Sequence, residues 1–110
     1  AQAGAEVIVT PAAFTRPTGE AHWETLLRAR AIETGGFVLA PAQGGFHEDG
    51  RGTWGRTIAI GPWGEVLGKL DHDEPGVLVV DLDLAAVAKA RAAIPALANA
   101  RAFAAPISIA

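Results

Sequence analysis

Charged side chains and a histidine crowd into one short stretch of the sequence, residues 18–36. The side chains that suggest chemistry there are Glu20, His22, Glu24, Arg28, Arg30 and Glu33. Carboxylates and imidazoles bind divalent metals and transfer protons, so such a group would suit a metal centre or a general acid–base site. Either chemistry requires that the local structure brings the side chains together.

The stretch is predicted to be a helix, and a helix keeps these side chains apart. Thr18 is the predicted N-cap, Glu20 falls in the first turn, and Gly35-Gly36 ends the helix. At about 100° per residue, Glu20 and Glu24 lie near one another, whereas His22 points away from both. This is not the two-histidine motif of a zinc protease. We therefore predict no catalytic or metal site on this helix.

Apolar residues along the same helix indicate a packing role. One predicted face carries Trp23, Leu26, Leu27 and Thr34. Arg30 lies within that face while Ala29 and Ile32 lie on others, so the helix is predicted to be covered on more than one side. We predict that Arg30 is buried and paired with Glu33, because a buried cation requires a partner. A solvated surface pair is the alternative.

A glycine-rich loop has the spacing G-x-G-x-x-G, formed by Gly50, Gly52 and Gly55. Dinucleotide binding by this motif requires a preceding strand and a following helix, whose N-terminus holds the pyrophosphate. A strand hairpin is predicted to follow here instead. We therefore exclude dinucleotide binding.

The segment "LDHDEPG" groups four residues of metal-ligand type, Asp71, His72, Asp73 and Glu74. Oxygen and nitrogen ligands at this close spacing are compatible with a cation. Pro75-Gly76, however, marks a turn between strands. We interpret the segment as a solvated turn, with a metal site as the alternative.

The composition excludes several classes of protein. A length of 110 residues suits one small domain, and a net charge of -3 without a basic run predicts no nucleic-acid partner. No apolar run approaches the ~20 residues of a membrane helix, and no basic leader precedes the first strand, so we predict no membrane partner and a cytoplasmic location. Cysteine is absent, which excludes a cysteine nucleophile or thiolate metal site within this chain. No metal or other cofactor is predicted.

The predicted element order is β-α-β-β-β-β-α, which belongs to the α/β class. Strands are predicted at residues 7–9, 37–40, 57–60, 65–70 and 77–80, where β-branched or apolar runs end at Gly or Pro. The first strand, the helix and the second strand imply a right-handed parallel crossover. The sequence Gly61-Pro62-Trp63-Gly64 predicts a tight hairpin. Asp83 is the predicted cap of a last helix, from Leu84 to Ile94.

The first residues suggest that the chain is a piece of a longer protein. Ala1-Gln2-Ala3 followed by Gly4 is typical of the last turn of a helix with its glycine cap. The body of that helix would then precede Ala1. A short frayed terminus is the alternative.

Three segments together resemble the carboxy-terminal half of the nitrilase superfamily, in its amidase-like branch. They are "AGAEVIVTPAAFTRPTGEAHWETLLRARAIETGGFVLAPAQGG", "GPWGEVLGKL" and "EPGVLVVDLDLAAVAKARAAIPAL". The resemblance covers about Ala3 to Ala98. It implies a four-layer α-β-β-α sandwich of which residues 1–110 form an incomplete domain.

The resemblance also implies hydrolysis of C–N bonds in small amides by a Cys, a Glu and a Lys. In such enzymes the Cys attacks the carbonyl carbon, the Glu is the general base and the Lys helps hold the oxyanion. All three would precede this chain. Phe14 and Thr15 would border the substrate pocket, at the end of the strand beside the nucleophile's strand. Many relatives have Gly-His where this chain has Gly55-Arg56, which leaves the chemistry of that pocket loop open.

The same resemblance implies a homo-oligomer. Helices of this region pack two protomers together in the family, so the predicted interface is the helix containing Trp23, Leu27 and Arg30. The predicted small-molecule partner is an amide substrate. The alternative function is a non-catalytic α/β association domain or an inactive remnant.

Overall fold

A four-stranded sheet with one long helix packed against it forms the centre of the computed structural model, which describes residues 1–106. The sheet has the strand order β1-β2-β5-β6, and β3 and β4 form a separate two-stranded ribbon. In chain order the elements are β1 (Val7–Val9), α1 (Arg16–Thr34), β2 (Phe37–Ala40), β3 (Gly44–Phe46), β4 (Gly52–Trp54), β5 (Ile58–Ile60), β6 (Val66–Lys69) and α2 (Ala85–Ala93). The predicted α/β class is confirmed.

The strand–helix–strand unit is present as predicted. β1 and β2 pair in parallel with Ile8 opposite Val38, and α1 connects them. The β5–β6 hairpin is also confirmed: the Gly61 N–H donates to the Glu65 carbonyl at 2.8 Å, and Gly64 adopts a φ of 86° that favours glycine. The β1–α1–β2 unit and the β5–β6 hairpin depend on residues that are close in the sequence. Both could therefore be predicted from the sequence.

The core lies between α1 and one face of the sheet. Residues four apart on the helix, Gly19, Trp23, Leu27 and Ala31, are buried. Trp23, Leu27 and Ala31 pack with four side chains of β2 and β5: Val38, Ala40, Ile58 and Ile60. Burial of a large apolar side chain of this kind contributes about 1.5–3 kcal/mol to folding. This interface therefore fixes the helix on the sheet.

The predicted burial of Arg30 is wrong, although its predicted pairing is confirmed. Arg30 Nη1 lies 3.6 Å from a Glu33 carboxylate oxygen, with 60% and 64% of the two side chains exposed. The buried residues recur every four positions, so the buried face drifts around the helix by about 40° per step. At the end of α1 that face centres on Ala31, which leaves Arg30 at its edge. The Arg30–Glu33 pair is therefore a solvated surface pair, which was the alternative to burial.

The start of α1 also differs from the prediction. The helix begins at Arg16, so Thr15 occupies the N-cap position, while Thr18 lies in the first turn and Glu20 beyond it. The Thr18 hydroxyl lies 2.8 Å from the Thr15 hydroxyl and donates to the Thr15 carbonyl at 3.2 Å. The predicted end is confirmed, since Gly35 caps the helix with a left-handed φ of 55°.

The predicted strand at 77–80 is wrong. The segment crosses the face of the sheet opposite α1, where Leu78 and Val80 approach Gly68 of β6. Val77 and Val79 are 85% and 84% exposed on its outer side. Along residues 77–80, covered and exposed side chains do alternate as in a strand. Among the described residues, however, the backbone of this segment pairs with no strand. With the unpredicted ribbon β3–β4, the order becomes β-α-β-β-β-β-β-α.

The second helix lies against the end of the first. This second helix begins at Ala85 with Leu84 in the N-cap position, one residue after the predicted cap Asp83, although the Asp83 carboxylate accepts the Ala85 N–H at 3.0 Å. Arg91 of α2 donates from Nε to the Thr34 carbonyl at 3.1 Å. Neither helix in residues 1–106 is both long and apolar enough to span a membrane.

The first residues form a turn. The Gly4 N–H donates to the Ala1 carbonyl at 2.9 Å, and Gly4 has a φ of 96°. The glycine therefore has the left-handed geometry expected of a helix cap. That a helix precedes it stays a prediction.

Candidate functional site

The carboxyl ends of the parallel strands β1 and β2 define the edge at which a site is expected. The pairing continues beyond both strands: the Ala12 N–H donates to the Pro41 carbonyl at 3.1 Å, and the Gln43 N–H donates to the Ala12 carbonyl at 2.9 Å. Ligands of α/β proteins bind outside the carboxyl ends of parallel strands. The structure thus brings the segments that follow Ala12 and Gln43 to one edge.

Phe14 and Thr15 lie at this edge. The Phe14 ring meets the Trp23 ring edge-on, with centroids 5.0 Å apart, and its carbonyl accepts the Trp54 N–H at 2.9 Å. Phe14 is half-buried against the core, whereas Thr15 is exposed and bridges to Thr53 of β4. Phe14 therefore anchors the segment, and Thr15 carries an accessible hydroxyl. Their role in binding a substrate stays a prediction.

Trp54 and Arg56 connect the ribbon to α1. The Trp23 indole N–H donates to the Arg56 carbonyl at 2.8 Å. The Arg56 guanidinium stacks 4.3 Å above the Trp54 ring and donates to the Trp54 carbonyl at 2.8 Å. Arg56 has a φ of 64°, which is uncommon for a non-glycine residue, and these contacts on both sides hold it there. The departure from Gly-His thus places a stacked arginine in the pocket loop.

A polar concavity of about 490 Å³ lies between the ribbon and the turn at 71–76. Both acidic and basic groups line it, together with amide and hydroxyl side chains: Gln43, His47, Arg56, Thr57, His72, Asp73 and Glu74. Phe14 and Thr15 are not part of this lining. The concavity can receive a small polar molecule through hydrogen bonds, but it contains no cysteine nucleophile.

Asp73 differs from the predicted solvated turn. Its carboxylate forms an ion pair with Arg16 at the start of α1, and a quarter of the side chain is exposed. The hydrogen bond from Arg16 holds the pKa of Asp73 below its usual value, against a smaller opposing effect of desolvation. Within residues 1–106, no three His, Cys, Asp or Glu side chains are grouped so that they could hold a metal. The metal alternative therefore has no support from the geometry.

The charged residues that open the helical stretch do not form a site. Glu24 lies 3.3 Å from Lys69 Nζ on β6, so it pairs across to the sheet. Glu20 and His22 are exposed. Likewise Gly52 lies in β4 and Gly55 is followed by β5, so no helix follows the glycine motif.

Sequence reasoning missed Arg16 and Trp54, and it assigned Asp73 to a solvated turn without its ion pair. Arg16 and Asp73 are 57 positions apart, and no local pattern links them. The available signal in the sequence was Gly44 and Gly55, because a glycine can mark a place where another part of the chain comes close. A Cβ at Gly44 would lie 2.6 Å from the Asp73 Cβ, and one at Gly55 would lie 2.9 Å from its Cα.

The sequence of this chain is similar to that of known proteins. A family model described as carbon-nitrogen hydrolase matches residues 1–92. A protein from Yersinia enterocolitica named deaminated glutathione amidase is 47% identical over 98 residues, which are 89% of this chain and 34% of that protein. The chain thus spans about a third of the length of this curated relative.

Solved structures share the fold. The NitFhit protein of C. elegans superposes with a TM-score of 0.77 at 40% identity, over 89% of this chain and 24% of that one. A mutant amidase from Nesterenkonia sp. AN1, with an acetamide moiety covalently added at its active-site cysteine, superposes with a TM-score of 0.60 at 34% identity. That match covers 84% of this chain and 34% of the amidase.

Proposed function

The chain belongs to the carbon-nitrogen hydrolase family, and from this premise we propose that the protein containing it is an amidase acting on small amides. The observation that carries the proposal is the 47% identity to a deaminated glutathione amidase over 89% of the chain. The aligned region of 98 residues is long enough to include α1, the ribbon and the hairpin.

The proposed mechanism uses a Cys nucleophile, a Glu general base and a Lys that helps hold the oxyanion, all outside this chain. The covalent acetamide adduct on the cysteine of the Nesterenkonia amidase supports the nucleophile. This chain contains no cysteine. Attack of a thiolate on the amide carbonyl forms an acyl-enzyme and releases ammonia, and water then hydrolyses the thioester.

The contribution of this chain is one wall of the substrate pocket. Phe14 and Thr15 follow β1 and lie against β4. In the proposal the Phe14 ring, which packs against Trp23, limits the depth of the substrate pocket. The exposed Thr15 hydroxyl forms a hydrogen bond with the polar part of the substrate. Small amides are the proposed substrate class, because the relative is named an amidase, and monoamides of short dicarboxylic acids represent this class in the test below.

We further propose that the protein is a homo-oligomer through α1. Trp23 and Leu27 are 3% and 5% exposed, so these two residues serve the protein's own core. The interface would use the exposed surface of the helix next to its buried face, where Leu26 is 56% exposed and Arg30 follows one turn later. A cytoplasmic location completes the proposal.

A substrate panel tests this function. The longest reading frame that contains this chain is expressed, and ammonia release is measured with glutarate-type monoamides, simple aliphatic amides and a simple nitrile. Hydrolysis of the monoamides, lost when the upstream cysteine is changed to Ala, is the expected result. No ammonia release from any amide by the folded protein would refute the amidase proposal and favour the association domain.

A further inference from the structure

The ion pair between Arg16 and Asp73 joins the start of α1, which lies outside the lining of the concavity, to the turn at 71–76, which forms part of that lining. Arg16 directly follows Thr15 at the start of α1, and Asp73 lies in the turn at 71–76. The partners are 57 positions apart. The pair therefore ties the segment after β1 to the far wall of the concavity.

Three glycines leave the space in which this pair lies. A Cβ at Gly44 or at Gly55 would meet Asp73 at 2.6 Å and 2.9 Å respectively. A Cβ at Gly52 would lie 2.7 Å from Arg16 Nε. Distances below about 3 Å are far inside van der Waals contact. Side chains at these positions would push the two partners apart.

The Arg16 side chain is held on more than one side. Its guanidinium lies 4.5 Å above the Phe46 ring of β3. Its Nε is buried without a hydrogen-bond acceptor among the described residues, so one donor of the group is desolvated. Desolvation of a donor is unfavourable, and the charge-assisted contact to Asp73 offsets it.

The turn that carries Asp73 is also attached to the pocket loop. The Arg56 N–H donates to the His72 carbonyl at 3.2 Å, and the Gly55 N–H donates to the Gln43 carbonyl at 3.2 Å. Asp73, Arg56 and Gln43 all line the concavity. A displacement of the turn would therefore change the shape of the concavity.

We propose that Arg16 and Asp73 are positioning residues, whose ion pair sets the placement of Thr15 and the width of the polar concavity. This inference rests on the proposed amidase function. It assigns the pair an effect on substrate binding that exceeds its effect on folding. Neither side chain is proposed to touch the reacting atoms.

The test compares Arg16→Met, Asp73→Asn and Arg16→Lys in the longest reading frame with a glutarate-type monoamide. Arg51→Met is the matched control. Arg51 Nε lies 2.6 Å from an Asp49 carboxylate oxygen, and this exposed pair lies within the connection between β3 and β4. We expect KM to rise by about tenfold in Arg16→Met and Asp73→Asn, with kcat changed less than about threefold. Arg16→Lys should restore part of the KM loss, and Arg51→Met should match the parent.

Two outcomes overturn the inference. One is a lowered melting temperature with unchanged KM and kcat in the folded variants, which would give the pair a purely structural role. The other is an equal change in Arg51→Met.

If the parent hydrolyses no amide, the proposed function fails and hydrogen exchange tests the pair separately. Arg16→Met should then lower the protection of the Arg56 amide and leave the Val38 amide unchanged. Equal protection of the Arg56 amide in parent and variant would overturn the inference.

Discussion

Gly19 of α1 lies directly against Trp54 of β4, so closely that a Cβ at position 19 would overlap the Cβ and Cγ atoms of Trp54. The helix backbone at Gly19 thus meets the Trp54 side chain of the ribbon directly, with no side chain of the helix between them. This contact places Thr15, at the start of the helix, beside Thr53.

Gly19→Ala is expected to destabilise the protein, although alanine favours a helix by about 1 kcal/mol over glycine. The added methyl forces Trp54 away, and overpacking of this kind costs typically 1–3 kcal/mol. Denaturant unfolding of the longest reading frame measures the change. Ala21→Gly, at an exposed position of α1, is the control and should cost only about 1 kcal/mol. A stabilised Gly19→Ala protein would contradict the close contact.

Arg30→Ala is expected to change the free energy of unfolding by less than about 1 kcal/mol. Both members of the Arg30–Glu33 pair are more than half exposed, and exposed pairs contribute little. Leu27→Ala, one turn earlier and 5% exposed, should cost about 2–5 kcal/mol. Equal losses for the two variants in thermal unfolding would show that Arg30 is covered in the assembled protein.

How far the sequence predicts this fold depends on the range of each interaction. The left-handed cap at Gly35 and the hairpin at residues 61–64 follow from neighbouring residues, and both were predicted. The exposure of Arg30 depends on which side of α1 meets the sheet. The segment at 77–80 has a strand pattern, but pairing requires a partner strand that local sequence cannot supply.

The candidate site was only partly predictable for the same reason. Phe14 and Thr15 were placed at a strand end by the resemblance to relatives, and the structure brings them to the expected edge. The Arg16–Asp73 pair bridges 57 positions, so only the fold brings its members together.

The contribution of Asp73 to stability is expected to depend on pH. Arg16 lowers the pKa of Asp73 in the folded protein, so the pair stabilises the fold fully above the unfolded pKa of about 3.9. The contribution is lost as the pH falls through the lower folded pKa. The difference in unfolding free energy between the parent and Asp73→Asn should therefore be constant from about pH 5 to 7 and shrink below about pH 4. A difference that persists unchanged to pH 2 would contradict this account.

Leu26→Asp is expected to weaken self-association if α1 forms the proposed interface. Leu26 is 56% exposed at the edge of the buried face of the helix, where a charge would oppose apolar contact with a second copy. Sedimentation velocity measures the shift towards monomer. Leu84→Asp, at the 48% exposed residue before α2, is the control and should sediment like the parent. Identical sedimentation of all three proteins would place the interface elsewhere or exclude one.

The location of the nucleophile tests the central claim most directly. The longest reading frame is reacted with fluoroacetamide, and the modified residue is identified by peptide mass spectrometry, with residues 1–110 assayed alone in parallel. The account predicts an acetamide adduct on a cysteine outside residues 1–110, loss of ammonia release on modification, and no turnover by the isolated chain, which has no thiol. Amide hydrolysis by residues 1–110 alone, or full activity after every cysteine is modified, would contradict it.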